Sequence, residues 1–211
     1  MNEIVFLSPN NKEPFTTSEV IAECCDVKHH AVQQMIQKNE KEFQSFGLLA
    51  FEMRAVKTNR GVKYQKIYHL NEQQATLLMT FMRNSEIVKA FKVELVRQFY
   101  AMREELRAVR AAKEIRKPIR KSLTDAIQEL PDSPHKQFKY SQYTDLAYKT
   151  ALGKTAKQIR QERGGGKKAN ASNFLTSREI DSVSKNESNI AVLLDLGLEY
   201  KEIKDIMMRK R

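Results

Sequence analysis

The sequence predicts a mainly α-helical protein with a small β-hairpin wing: an N-terminal winged helix-turn-helix, a long helix, and a C-terminal all-helical domain. Three observations predict it. Two short helical patterns separated by a tight turn come first, followed by a β-rich stretch with a basic tip. An apolar stripe then recurs at steps of three and four from Glu86 towards Arg116, which is the period of one buried helix face. Beyond it, helical patterns alternate with proline and glycine breaks.

In chain order, residues 3–7 read as a short strand, and Pro9, Asn10 and Asn11 as the turn after it. Thr16 and Glu19 have the spacing of a capping box, in which hydroxyl and carboxylate each satisfy a backbone N–H at a helix start. Val20, Ile21 and Cys24 supply the apolar face of that helix. After a turn at Asp26 and Val27, a second helix is expected from about Lys28 to Lys38, with Ala31, Val32, Met35 and Ile36 facing inward. Leu49–Val56 and Val62–Leu70 read as a hairpin whose turn, Lys57 to Gly61, is basic; Asn and Gly there suit the positive φ of tight turns. Asn71 and Gln74 open a further helix to about Arg83. The long helix follows from about Glu86, and Pro118 is expected to end it, since proline breaks a helix interior.

A separate helix is then expected from Ser122 to Leu130, closed by Pro131. Helices at about Lys136–Leu152 and Thr155–Arg163 come next, and Gly164 to Lys168 reads as a flexible linker. Thr176 and Glu179 repeat the capping-box spacing ahead of a helix to about Leu196. Gly197 suits the left-handed residue that closes a helix, and Tyr200–Arg209 is the last helix. The division this implies is residues 1–83 for the winged domain, 84–117 for the long helix and linker, and 118–211 for the helical domain.

At 211 residues the chain can hold two small domains, and 41% apolar residues can fill two cores. No apolar run reaches the roughly 20 residues that span a bilayer. The opening residues lack a basic stretch before their short apolar run, so they do not read as a signal peptide, and a cytoplasmic location is expected. The two cysteines, Cys24 and Cys25, are adjacent, which fits a reducing compartment better than a disulfide. A formal charge of +11 favours polyanions, because each phosphate neutralised releases condensed counterions.

The expected binding surface is the outer face of the second helix, carrying Lys28, His29, His30, Gln33, Gln34, Gln37 and Lys38, together with Lys57, Asn59, Arg60 and Lys63 on the hairpin. A helix fits the major groove of double-stranded DNA, Gln can bind adenine through two hydrogen bonds, and Lys can reach guanine or phosphate. The wing would then rest on the neighbouring backbone or minor groove. An ordinary solvated helix has the same pattern. His29 has three readings: a DNA contact, a hydrogen-bond partner that stabilises the turn, or a metal ligand beside Cys24 or Cys25. Adjacent Cys and His pairs lack zinc-site spacing, so the metal reading is the weakest. Phe99, Met102, Leu106 and Val109 keep a coiled-coil rhythm and are expected to form a dimer seam, although the repeat is short. No nucleophile–base grouping and no complete phosphate loop emerge, since Gly153, Lys154 and Thr155 lack the preceding glycine and strand; neither an enzyme nor a cofactor is expected.

Thr17, Ser18, Val20 and Ala22, then Val27, Lys28 and His29, then Val32 and Ile36, a Phe-Gly stretch, a basic hairpin and Leu70 to Ala75 occur in an order that resembles the phage Rha family of regulatory proteins, which are antirepressor-like. Asn84 to Met102 is similar to the long closing helix of that family. The resemblance covers about residues 15–105. It implies His29 as a hallmark position. The family often has Gly just before its basic residue and His, whereas this chain has Asp26 and Val27. Tyr143, Leu146 and Tyr148 with Gly153 to Thr155 resemble helical appendages of phage regulators only loosely. The expected function is therefore a phage or prophage transcriptional regulator that binds double-stranded DNA; the alternative is an antirepressor that binds a repressor protein.

Overall fold

A computed structural model describes residues 3–7, 13–58 and 61–209. The chain divides into two compact units, residues 1–104 and 105–211. Among the described residues, no helix is long and apolar enough to cross a membrane.

The first unit contains strands β1 (Phe6–Leu7), β2 (Pro14–Thr17), β3 (Ala50–Thr58) and β4 (Gly61–Asn71). Its helices are α1 (Ser18–Cys24), α2 (His29–Lys38), α3 (Glu40–Gln44) and α4 (Glu72–Phe81). The strands form one antiparallel sheet in the order β1-β2-β4-β3. The hairpin register pairs Phe51 with Tyr68 and Lys57 with Val62. Predicted Pro9, Asn10 and Asn11, and Asn59 and Arg60 at the hairpin tip, lie outside the described residues, as does the side chain of Lys57.

Helix α1 starts one residue later than the spacing of Thr16 and Glu19 suggests. Thr16 belongs to β2, opposite Leu70, and it is Thr17 whose hydroxyl accepts from the Val20 N–H at 3.2 Å. Long-range strand pairing therefore overrides a local capping signal. The Asn71–Gln74 box forms as expected, with both reciprocal hydrogen bonds present. Gln74 is also buried, and its amide donates to the carbonyls of Phe43 at 3.1 Å and Gly47 at 3.2 Å. One side chain thus caps α4 and closes the loop after α3. Around it, Ile21, Val32, Ile36, Phe43, Leu70 and Leu78 make a continuous core with Phe91, Leu95 and Phe99.

Those last three residues lie on α5 (Glu86–Gln128), which supplies residues to both units. Pro118 does not end this helix, contrary to expectation, and the predicted separate helix from Ser122 is its continuation. Proline in a helix interior costs about 3 kcal/mol. Leu123 and Ile127 are fully buried just beyond it, and such side chains gain about 1.5–3 kcal/mol each. Burial downstream outweighs the break.

In the second unit, α6 (Lys136–Leu152), α7 (Ala156–Glu162), α8 (Ser177–Asp195) and α9 (Tyr200–Arg209) join the later part of α5. Thr155 and Thr176 cap α7 and α8 in full capping boxes. Gly197, at φ +79°, ends α8: its N–H donates to Leu194 and that of Leu198 to Leu193, the double bond of a Schellman motif. Two clusters fill the interior. Leu123, Ile127, Tyr143, Leu146, Ile190 and Ile203 form one; Ala112, Tyr148, Ile159, Leu175, Ile180 and Val183 form the other.

Of the expected dimer seam, Phe99 alone is buried, and Met102, Leu106 and Val109 are half-buried. Phe99 lies in the first unit's core with Met102 packed on it, and Val109 packs against the second cluster of the second unit. The rhythm persists because each unit draws core residues from its own part of α5 at helical spacing.

Candidate nucleic-acid interface

The turn between α1 and α2 decides how α2 is presented. Asp26 takes a left-handed conformation at φ +52°, its N–H donates to Glu23, and the N–H of Val27 donates to Ala22 at 3.0 Å. This is again a Schellman closure. Asp is one of the few residues besides Gly that visit this region without large strain, so the turn forms without the family's glycine.

His29, the first residue of α2, is half-buried and has a partner on each ring nitrogen. Gln65 on β4 meets Nδ1, and Ser18 Oγ lies 2.8 Å from Nε2. With the Gln65 amide donating to Nδ1, Nε2 carries the proton and donates to Ser18 Oγ, which also accepts from the Tyr68 N–H at 3.0 Å. The imidazole therefore ties α1, α2 and β4 together. Withdrawal from water pulls its pKa below the ordinary histidine value; Glu19 opposes the shift and Arg54 adds to it. Of the three readings, hydrogen bonding at the turn is the one the geometry supports. Among the described residues, no three His, Cys, Asp or Glu side chains are grouped to hold a metal.

Gln33 is likewise turned inward, its amide donating to the Lys66 carbonyl at 2.6 Å. Lys28, His30, Gln34, Gln37 and Lys38 are exposed, as is Ala31, which was expected to face inward. His30, Gln34 and Gln37 follow one another at helical spacing, with Lys28 and Lys38 at the two ends. No side chain caps the N-terminus of α2, and its first turn has no acidic residue, so the positive end of the helix dipole faces outward beside Lys28.

Between α2 and the hairpin lies a groove of about 240 Å³, bordered by His30 and Gln33 on one side and by Lys63, Tyr64 and Lys66 on the other. Lys63, expected as a wing residue, is exposed at its rim. Tyr64 and Lys66 were not expected. Tyr64 is exposed, and Lys66 sits over the rings of Phe51 and Tyr68, at 4.0 and 4.6 Å from their centroids. The hairpin also exposes Phe51, Met53 and Val62. The register places Phe51, Met53, Val62 and Tyr64 on one face of the hairpin, and alternation alone does not tell an exposed apolar face from a covered one.

Residues 16–104 match the family model described as phage regulatory protein Rha. No curated protein matches the chain.

Proposed function

We propose that this chain, whose residues 16–104 match the phage regulatory protein Rha family model, regulates phage transcription by binding double-stranded DNA through α2 and the wing. The observation that supports this is the row of exposed Lys28, His30, Gln34 and Gln37 on α2, flanked by Lys63 across the groove. In this reading α2 lies along the major groove. Gln34 and Gln37 meet base edges, while Lys28 and the uncapped helix end meet phosphate. Lys63 and the remainder of the wing contact the adjacent backbone, and His29 and Gln33 hold the reading helix at its angle.

The test is selection from a random duplex pool across a salt series with Gln34→Ala and Lys63→Ala. Gln34→Ala relaxes the enriched motif, whereas Lys63→Ala weakens all sequences alike and flattens the salt slope. Equal loss of motif and affinity in both variants defeats this division of labour.

A second reading rests on the exposed Phe51, Met53, Val62 and Tyr64. Contiguous apolar surface on a small domain favours a protein partner, which makes the chain an antirepressor that docks on a repressor. Salt separates the two: DNA affinity falls by orders of magnitude from low to moderate salt, and an apolar protein interface changes far less.

A further inference from the structure

The second unit contains a cleft of about 550 Å³ walled by five cationic side chains: Lys113, Arg116, Lys117 and Arg120 from α5, and Arg160 from α7. Its remaining wall includes Asn170, Ser172 and the hydroxyl-bearing Thr144 and Tyr148. The carboxylates nearby are already engaged. Glu187 is fully buried and binds Arg116 through two hydrogen bonds of 2.8 and 2.7 Å and Arg120 through one of 3.1 Å. Glu114 pairs with Lys117 at 2.7 Å, outside the cleft lining. Positive charge therefore exceeds negative charge around the opening.

Arg160 is the informative residue. Its Nε is buried and, among the described residues, has no hydrogen-bond partner, while its Nη1 reaches the Ala169 carbonyl only at 3.5 Å. A buried charge-bearing donor without a partner is costly and calls for an acceptor. The stem of Arg160 is held by the glycine run that the sequence presents as a linker. A Cβ on Gly165 would fall 2.6 Å from Arg160 Cγ and 2.7 Å from the Phe174 ring, and the Gly165 N–H donates to the Arg160 carbonyl at 2.7 Å. Gly165 is thus a close-packing position against the Arg160 stem. Lys113 is pulled below its ordinary pKa, first by withdrawal from water and then by repulsion from Arg116. An anion between them would relieve both.

We propose that this cleft binds a phosphate-bearing ligand of nucleotide size, with Arg160 and Lys113 as its principal contacts. Guanidinium forks match phosphate oxygens in geometry, and the volume lies within the range of small-molecule sites. The cleft lining offers no exposed aromatic face for a base, so recognition rests on the phosphate end. The site is independent of the DNA reading, because every residue lining it belongs to the second unit.

The test is calorimetric titration of the full chain with pyrophosphate, with adenosine triphosphate and with a short DNA duplex. The proteins compared are wild type, Arg160→Gln, Lys113→Gln and the exposed control Lys185→Gln. Arg116 and Arg120 are left alone because they neutralise Glu187. Pyrophosphate and the nucleotide should bind the wild type and the control equally, and each cleft variant should weaken them roughly tenfold or more, as loss of a charge-assisted hydrogen bond does. Arg160→Lys should recover part of the loss, and amide shifts on titration should centre on Asn170 to Ser172. If the duplex alone binds and both cleft variants weaken it, the cleft is a nucleic-acid contact and the nucleotide-sized ligand is overturned. Binding indifferent to both cleft variants, or no heat and no amide shifts with any of the three ligands, overturns the proposal.

Discussion

The two units differ in the polar groups they bury. In the first, the buried polar side chains are Thr16, Thr17, Ser18 and Gln74, all uncharged, with half-buried His29 and Gln33 beside them. In the second, the centre is an ionic triad, Arg116–Glu187–Arg120, with a second ion pair where Arg163 meets Glu179 at 2.6 Å. Burial opposes the charge on Arg116, but the hydrogen bonds and charge of Glu187 outweigh it and its pKa lies above the ordinary value. The difference teaches that a basic chain can fill one core with neutral polar groups, leaving ion pairs such as Arg103–Glu72 at its edge, while burying a carboxylate at the centre of the other. The first module holds a presenting helix by fixed dipoles; the second surrounds a cleft.

The sharpest way to break the comparison is Glu187→Ala. Removing one partner of a buried ion pair strands the others and costs about 3–5 kcal/mol. Denaturant unfolding of the full chain should show that loss, with hydrogen exchange accelerating in α6 and α8 while α2 and β4 keep their protection. Uniform acceleration would mean that the units do not differ as described.

Gln74→Ala should come second. It deprives the Phe43 and Gly47 carbonyls and the Asn71 N–H of their partner, and an unsatisfied buried group costs about 1–3 kcal/mol. Because no ion is involved, the loss should be the same at low and high salt. A strong salt dependence would contradict a neutral polar core.

The smallest effects should appear on acidification. His29 has a folded-state pKa below its unfolded value of 6.5, so the unfolded chain takes up its proton first. Its stabilisation is complete above pH 6.5 and declines as pH falls through that value towards the lower folded-state pKa. Glu179 is held at about 2, against 4.5 when unfolded, mainly by its hydrogen bond to Arg163. Its contribution is therefore present above pH 4.5 and is lost between there and about 2. Amide exchange followed against pH should show protection around α2 weakening first and protection around the start of α8 weakening later. The reverse order would sink this assignment.

Much of the fold was legible where a local signal and its structural partner lie within one turn. Asn71 with Gln74, Thr176 with Glu179, and Gly197 each announce a helix end whose hydrogen bonds close within a few residues, and the structure places them as read. Local reading gave way where a distant partner decides. Thr16 looks like a cap until Leu70 claims it for the sheet, and Pro118 looks like a stop until the core beyond it is known. The short helix α3 has no periodicity long enough to see. For the candidate interface, the sequence located the exposed row of α2, but not that His29 and Gln33 turn inward. A polar side chain on a helix looks the same whether it meets water or a neighbouring strand. The pairing of Arg116 with Glu187 spans 71 residues and left no trace in either neighbourhood.

One coincidence along α5 bears on ancestry. The family match and the first compact unit both end at Glu104, within a helix that continues unbroken to Gln128. Genetic exchange between phages at that point has a light condition to meet. The incoming segment need only continue the helix with its apolar stripe in phase, because no loop has to be rebuilt and no strand re-paired. A head of this design can therefore be joined to unrelated tails by a crossover inside one helix, and each recombinant inherits an intact core on the head side of the joint.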